Sequence, residues 1–335
     1  MATANAPSQT LALAATELAG LLLGTTSVAL HDPGNQFVEF DAVIEPRLLR
    51  CDAPPPEVWA IDGGQALIAD ARCLSVVATR TGAVRFVDGR CALEEVGQLR
   101  VALLGGETQR VAALAALGVD ALSLAGVASD TAVDIHLLRD LGEWEALARV
   151  VEAAVPGAIV LVDGDLQPDW RLPRQLVGAI LRRADARGVI VAAVTKHTAL
   201  ARGGAPLLGQ LEREAQATLG STRWWASIGR TRADAGAVRI FAARLDPDAR
   251  YSFRIDLPAT IDPERALGSL ATLCDDAAFP GYPYPLTVAD RVAGVPGWER
   301  EELRFGLNEL LTHAGVPDDV VERAFADRHR LMERS

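Results

Sequence analysis

Two stretches constrain this chain more than any others: AIVLVDGD at 158–165 and GVIVAAVTKH at 188–197. Both are apolar and rich in β-branched residues, and an arginine-rich stretch of helical character, 172–187, separates them. A strand without polar alternation is covered on both faces, and strands alternating with helices belong to a sheet flanked by helices. Upstream, EVWAIDGG from Glu57 and ARCLSVVATRTGAVRFVDG at 71–89 predict three antiparallel strands, with a turn at Thr81-Gly82. Between the two regions, Val133, Leu137, Leu141, Trp144, Leu147, Val150 and Val151 recur at helical spacing until Pro156-Gly157 stops them.

Three antiparallel strands followed by helix-alternating strands form an α/β mixed sheet of RNase H-like order. The expected organisation is an N-terminal helix and arm (1–52), the main domain (57–292) and C-terminal helices packed on it (293–335). Pro54, Pro55 and Pro56 make a stiff spacer between the first two. Residues 106–125 have some helical character, and 205–219 and 262–276 read as helices. AVRIFAARL and ARYSFRIDL form a hairpin around Asp246-Pro247-Asp248, and helices at about 298–314 and 318–332 finish the chain.

Half of the 335 residues are apolar, enough for a large core. The four cysteines, at 51, 73, 91 and 274, form no Cys-x-x-Cys pair, which excludes zinc ribbons and redox motifs and fits free thiols in a reducing, cytoplasmic setting. The N-terminal stretch lacks a basic n-region and Glu17 interrupts it, so it reads as an amphipathic helix capped near Ser8 or Thr10 rather than a signal peptide. Its leucines (Leu11, Leu13, Leu18, Leu21, Leu22, Leu23) pack on their own domain or on a partner or second copy. No run approaches a membrane span. The net charge of −11 argues against a broad DNA-coating protein, but not against an enzyme whose carboxylates hold cations over a local groove. Lys196 is the sole lysine among 33 basic residues, which singles out a position where a compact ammonium is wanted and a guanidinium does not serve.

The chemistry centres on two Asp-Gly pairs. Ile61-Asp62-Gly63 and Val162-Asp163-Gly164 each end an apolar run, which holds an acid on a rigid element with a permissive glycine behind it. Each alone reads equally well as an ordinary turn dipeptide. Two such acids on neighbouring strands repel unless a cation lies between them. The helix between them carries Glu143 and Glu145, which point to different faces. Glu143 is the preferred third acid, with Glu145 as the alternative, and Glu143 also stands four residues after Arg139. Hard oxygen donors of this kind suit magnesium or manganese, and two ions can clamp both oxygens of an in-line displacement.

VWAIDGG, VLVDGDL, VTKHT and above all GYPYPLTVADR resemble, in this order over about 57–291, the sequence blocks of the NurA nucleases. The resemblance implies an RNase H-like fold and a manganese-dependent nuclease. Such a nuclease degrades single-stranded DNA 5′ to 3′, cuts internally, and works as a homodimer beside the hexameric HerA translocase in DNA end resection. Carried onto this chain, Asp62 and Asp163 are metal ligands, Glu143 (or Glu145) the helix ligand, Tyr282 the motif tyrosine, and Lys196 the basic residue that stabilises phosphate charge. Asp290 departs from the family's usual histidine; it can ligate a metal but cannot act as a cationic acid, and His197 is a candidate substitute.

Two further features suggest DNA contacts: Trp224-Trp225 with Arg223, Arg230 and Arg232 as a stacking platform, and Arg174, Arg182, Arg183 and Arg187 along one helix. Core packing and a solvated face are the plainer alternatives. An actin-like ATPase also begins with a strand and an Asp-Gly turn, but Gln65-Ala66-Leu67 replaces the phosphate turn it needs. A regulatory subunit that binds DNA or a translocase without cutting is the non-enzyme alternative.

Overall fold

The computed structural model describes residues 9–23, 29–32, 38–106, 133–167, 172, 174–231 and 237–326. The helix expected over 106–125, Arg232 and the side chain of Arg174 lie outside the described residues. Helix α1 spans Gln9–Leu23, followed by short strands β1 (Leu30–His31), β2 (Val38–Phe40) and β3 (Arg47–Leu48). Next come β4 (Glu57–Asp70), β5 (Ser75–Val87), β6 (Arg90–Val96) and β7 (Arg100–Leu104), then α2 (Ile135–Ala153), β8 (Ile159–Asp163), α3 (Arg174–Ala186) and β9 (Ile190–Thr195). The rest is β10 (Ala201–Arg202), β11 (Ala205–Pro206), α4 (Leu207–Leu219), β12 (Trp224–Thr231), β13 (Val238–Arg244), β14 (Phe253–Pro258), α5 (Pro263–Ala271), α6 (Tyr284–Ala293), α7 (Gly297–His313) and α8 (Asp318–Phe325).

The chain forms two compact units, Met1–Pro54 with Ala193–Pro283, and Pro55–Ala192 with Tyr284–Ser335. The second unit is built on β4. It pairs antiparallel with β5, which pairs in turn with β6 and β7, and it pairs parallel with β8 from Val58↔Ile159 to Ile61↔Val162. This is the mixed sheet expected from the order of elements, but its strands are longer than the sequence suggested. β4 runs straight through Asp62-Gly63-Gly64, and β5 runs straight through Thr81-Gly82, where a turn was expected. The real turn is Asp88-Gly89, both at positive φ (49° and 72°), as a tight hairpin requires.

The mid-strand glycines are contact points rather than turns. A Cβ on Gly82 would stand 2.7 Å from the Ala293 nitrogen, and one on Gly64 would meet the Ala293 carbonyl, so only glycine lets α6 lie this close. A Cβ on Gly63 would instead stand 2.6 Å from Arg139 Cγ on α2. Neighbouring residues of a strand point to opposite faces, so α2 and α6 cover opposite sides of the sheet.

Helix α2 begins at Asp134, whose Oδ1 accepts from the Leu137 amide at 2.9 Å. Its buried stripe includes Leu137, Leu141, Trp144, Leu147 and Val151. At the other end Arg187 donates to the carbonyls of Val151 (2.9 Å), Glu152 (2.8 Å) and Ala154 (3.2 Å), satisfying a helix C-terminus with a cation. Leu303 and Leu307 of α7 pack with Val295 against Ala66, Ile68 and Ala78, so the C-terminal helices belong to this unit.

In the first unit β2, β12, β13 and β14 pair antiparallel in that order, with the expected β13–β14 hairpin in place, and β3 also pairs with β12. The last residues of β9 join β14, from Arg254↔Thr195 to Asp256↔Ala193. The core there gathers Leu207 and Leu211 of α4 with Trp224, Ile228 and Ile240. Arg254 lays its guanidinium on Asp256 at 2.8 and 2.9 Å, both side chains being buried. All four cysteines are free thiols, Cys274 buried and the other three exposed. No described helix is long and apolar enough to cross a membrane.

Candidate active site

Asp62 and Asp163 lie on neighbouring parallel strands, each one residue beyond the paired Ile61 and Val162, and are therefore level with each other. Asp62 is buried, and its Oδ1 accepts from the Gly63 amide at 2.7 Å. β8 ends at Asp163. Glu143 comes from α2 and rests its carboxylate against Gly63, in the space a Cβ would fill there. Of the two glutamates, Glu143 is thus the one turned to the sheet. Glu145 is exposed and paired with Arg100 at 2.9 Å.

The electrostatics of this cluster are unusual. Burial pushes the Glu143 carboxyl up to about 8; Arg139 pulls it back, while Asp140, Asp62 and Asp163 add to the rise. Arg139 is the balancing cation. Its Nε stands 3.3 Å from Glu143 Oε1, and a terminal nitrogen donates to Asp140 Oδ1 at 3.1 Å. Burial alone would lower the Arg139 pKa, but Glu143, Asp140 and Asp62 together raise it. Asp140 was missed by sequence reasoning. The signal was its spacing: residues three apart on a helix share a face, so Asp140 and Glu143 point the same way.

The donor set is hard oxygen throughout, and its mutual repulsion is what a divalent cation relieves. Among the described residues no three acids, imidazoles or thiols converge to enclose an ion as they stand. Asp290 is exposed on α6, one turn beyond the buried Leu286 and next to the buried Ala289.

Lys196 and Tyr282 belong to the other unit, where they meet each other. The Lys196 Nζ stands 5.0 Å from the centroid of the Tyr282 ring. The tyrosine is buried and packs on Phe253, ring centroids 5.4 Å apart. Lys196 and its neighbour His197 are exposed.

The stacking platform is corrected, and the arginine row is corrected at Arg183 and Arg187. Trp224 and Trp225 are 1% and 8% exposed on β12, so neither ring is open for a base to stack on; they are core. Arg223 is tied to the Leu245 carbonyl and Asp246, and Arg230 to Glu39. On α3, Arg183 grips Glu152 at 2.6 and 2.9 Å and Arg187 caps α2, so these two brace helices instead of lining a channel. The ATPase alternative needs a phosphate turn after Gly64, where β4 instead continues to Asp70.

No family model and no curated protein matches this chain. Solved structures do. The NurA nuclease from Sulfolobus solfataricus superposes with a TM-score of 0.56 at 17% identity, covering 81% of this chain and 88% of that one. The catalytic domain of human endonuclease V gives a TM-score of 0.40 at 16% identity, covering 93% and 100%. Endonuclease V of Ciona intestinalis, in complex with an inosine-containing DNA, gives 0.39 at 12% identity, covering 77% and 91%. The resemblance carried by four short sequence blocks therefore extends to the backbone, and this chain has the fold of the Sulfolobus NurA nuclease.

Proposed function

We propose that this chain is a metal-dependent deoxyribonuclease. The observation that carries the reading is the cluster on β4, β8 and α2: two level aspartates, with a buried glutamate laid against the glycine that follows one of them. The shared fold supports it. Asp62, Asp163 and Glu143 would hold manganese, or magnesium, as one or two ions; Asp290, on the helix across the sheet, is the fourth acid that the resemblance implies. Such ions, when bound, would supply Lewis-acid stabilisation of the phosphoryl oxygens. Glu143 would bind the ion as the carboxylate, and Arg139, 3.3 Å from it, is the cation placed to meet a phosphate beside it. Lys196 offers a further point charge, oriented by the Tyr282 ring. The substrate is single-stranded DNA, degraded 5′ to 3′ with some internal cutting. The working form is a homodimer beside a HerA-type hexameric translocase in DNA end resection.

The test is cleavage of 5′- and 3′-labelled single strands with manganese, magnesium or EDTA, beside Asp62→Asn. Manganese-dependent cutting that falls at least about a thousandfold in the variant, with unchanged melting, establishes the reading; the label pattern gives polarity. A non-cutting regulatory subunit is the second reading. It is favoured by Asp290 in place of histidine and by the guanidinium already seated on Glu143. Cutting by the protein with a translocase sinks it.

A further inference from the structure

A second feature lies on the far side of Arg139. A small, partly open cleft lies there, lined by Thr79, Arg80, Thr81, Gln98, Arg100 and Arg139 with Leu138 and Gly142 as its apolar wall. In a chain of net charge −11, three of these residues are arginines and none is an acid. We propose that this cleft is a phosphate subsite, which takes a backbone phosphodiester of the DNA strand next to the one being cut.

Each arginine is held from outside the cleft. Arg80 is anchored to the Gly294 carbonyl, the Ala293 carbonyl (3.3 Å) and Glu299 (3.1 Å). Arg139 is braced by Asp140 at 3.1 Å, and its buried Nε has Glu143 Oε1 3.3 Å away but no aligned hydrogen bond. A buried donor of this kind gains most from an anionic oxygen. Arg100, which pairs with Thr79 at the start of β7, is tied among the described residues to the exposed Glu145. Solvent-screened pairs of that sort are weak, so Arg100 can exchange Glu145 for a phosphate. The floor has room for one water-sized group, which admits a phosphoryl oxygen but no base or sugar. The threonine hydroxyls and the Gln98 amide supply neutral donors beside the charges. Because Arg139 stands between this cleft and Glu143, the bound phosphate neighbours the scissile one.

The identity of the strand as DNA rests on the nuclease reading, so binding and cutting are measured apart. Binding of a short fluorescent oligothymidine to the full chain in EDTA is followed by anisotropy across a salt series. Arg100→Gln weakens it about 3- to 10-fold and makes the slope of log affinity against log salt shallower by about 0.7, with unchanged melting. Glu145→Gln, which frees Arg100, tightens it. An unchanged slope in Arg100→Gln overturns the proposal, as does an equal weakening by Glu145→Gln, since the ion pair would then be the cause. Displacement by inorganic phosphate, beyond chloride of equal ionic strength and lost in Arg100→Gln, makes this a site for free phosphate and also overturns it. Loss of binding in Arg100→Gln without any cutting by the wild type in manganese leaves the subsite standing and removes the nuclease reading instead.

Discussion

Strand β4 starts with one buried carboxylate and lies against another at its middle, and the protein treats them in opposite ways. Glu57 accepts from the Trp59 indole at 2.7 Å, the Val155 amide at 3.2 Å and Arg85 Nε at 2.7 Å, with the Arg85 guanidinium also 5.7 Å from the Trp59 ring centroid. Burial acts to raise its pKa, but these donors outweigh it and hold the carboxyl below its ordinary value. Glu143 has one guanidinium, at 3.3 Å, and three acids around it, and burial carries it up to about 8. Burial acts on both, more strongly on Glu143, and the donors that oppose it, several at Glu57 and one at Glu143, help set the direction. One end of the strand is balanced by its own donors. The middle is left with more acids than donors.

The comparison can be broken first at Glu57. Glu57→Ala leaves Arg85 and the Trp59 indole without their acceptor and is expected to destabilise by about 3–5 kcal/mol in chemical denaturation, while manganese-dependent cutting per folded molecule stays the same. A small loss would mean that Glu57 is no more satisfied than Glu143.

The second test is pH. Glu143 has a folded pKa near 8, above the ordinary 4.5, so the folded state binds the extra proton between these values. Its stability contribution is present below about 4.5 and is lost as pH rises through 8. Metal-free protein should therefore lose stability over this range, and Glu143→Gln should flatten that part of the curve. Glu57 has the reverse sign: its contribution is present above the ordinary value and is lost as pH falls through the lowered folded pKa. A wild-type curve already flat between 5 and 8 removes the contrast.

The smallest effect is the metal's own. Manganese at about a hundred times its dissociation constant should add about 2.7 kcal/mol to folding stability, more readily at higher pH because Glu143 must lose its proton first. Asp62→Asn should abolish the increment and Glu57→Gln should not. An equal increment in both variants would place the ion elsewhere.

Much of this was legible in the sequence because strands and helices declare themselves by period. The apolar runs ending at Asp163 and Thr195, the α2 stripe and the β13–β14 hairpin follow from that alone. What was not legible depends on what a residue touches. Asp62-Gly63 and Thr81-Gly82 look like turn dipeptides, yet both lie inside strands because helices press on their glycines. A Trp-Trp pair among arginines looks the same in a core as on a DNA-binding face. Arg139 looked like half of an ordinary helical ion pair with Glu143; that its guanidinium also feels Asp140 and Asp62 needs α2 and β4 together.

The seam between α6 and the sheet has a consequence for assembly. In an alanine-rich chain, Gly64 and Gly82 are places where even a methyl group collides with the Ala293 backbone. Two notches on adjacent strands, met by one residue of the helix, act like an index pin. Slid by one residue or rolled by a fraction of a turn, the helix would meet side chains where it now meets hydrogens. It therefore has one seat, and that seat sets the height and azimuth at which Asp290 and Arg291, about one turn beyond Leu286, are presented.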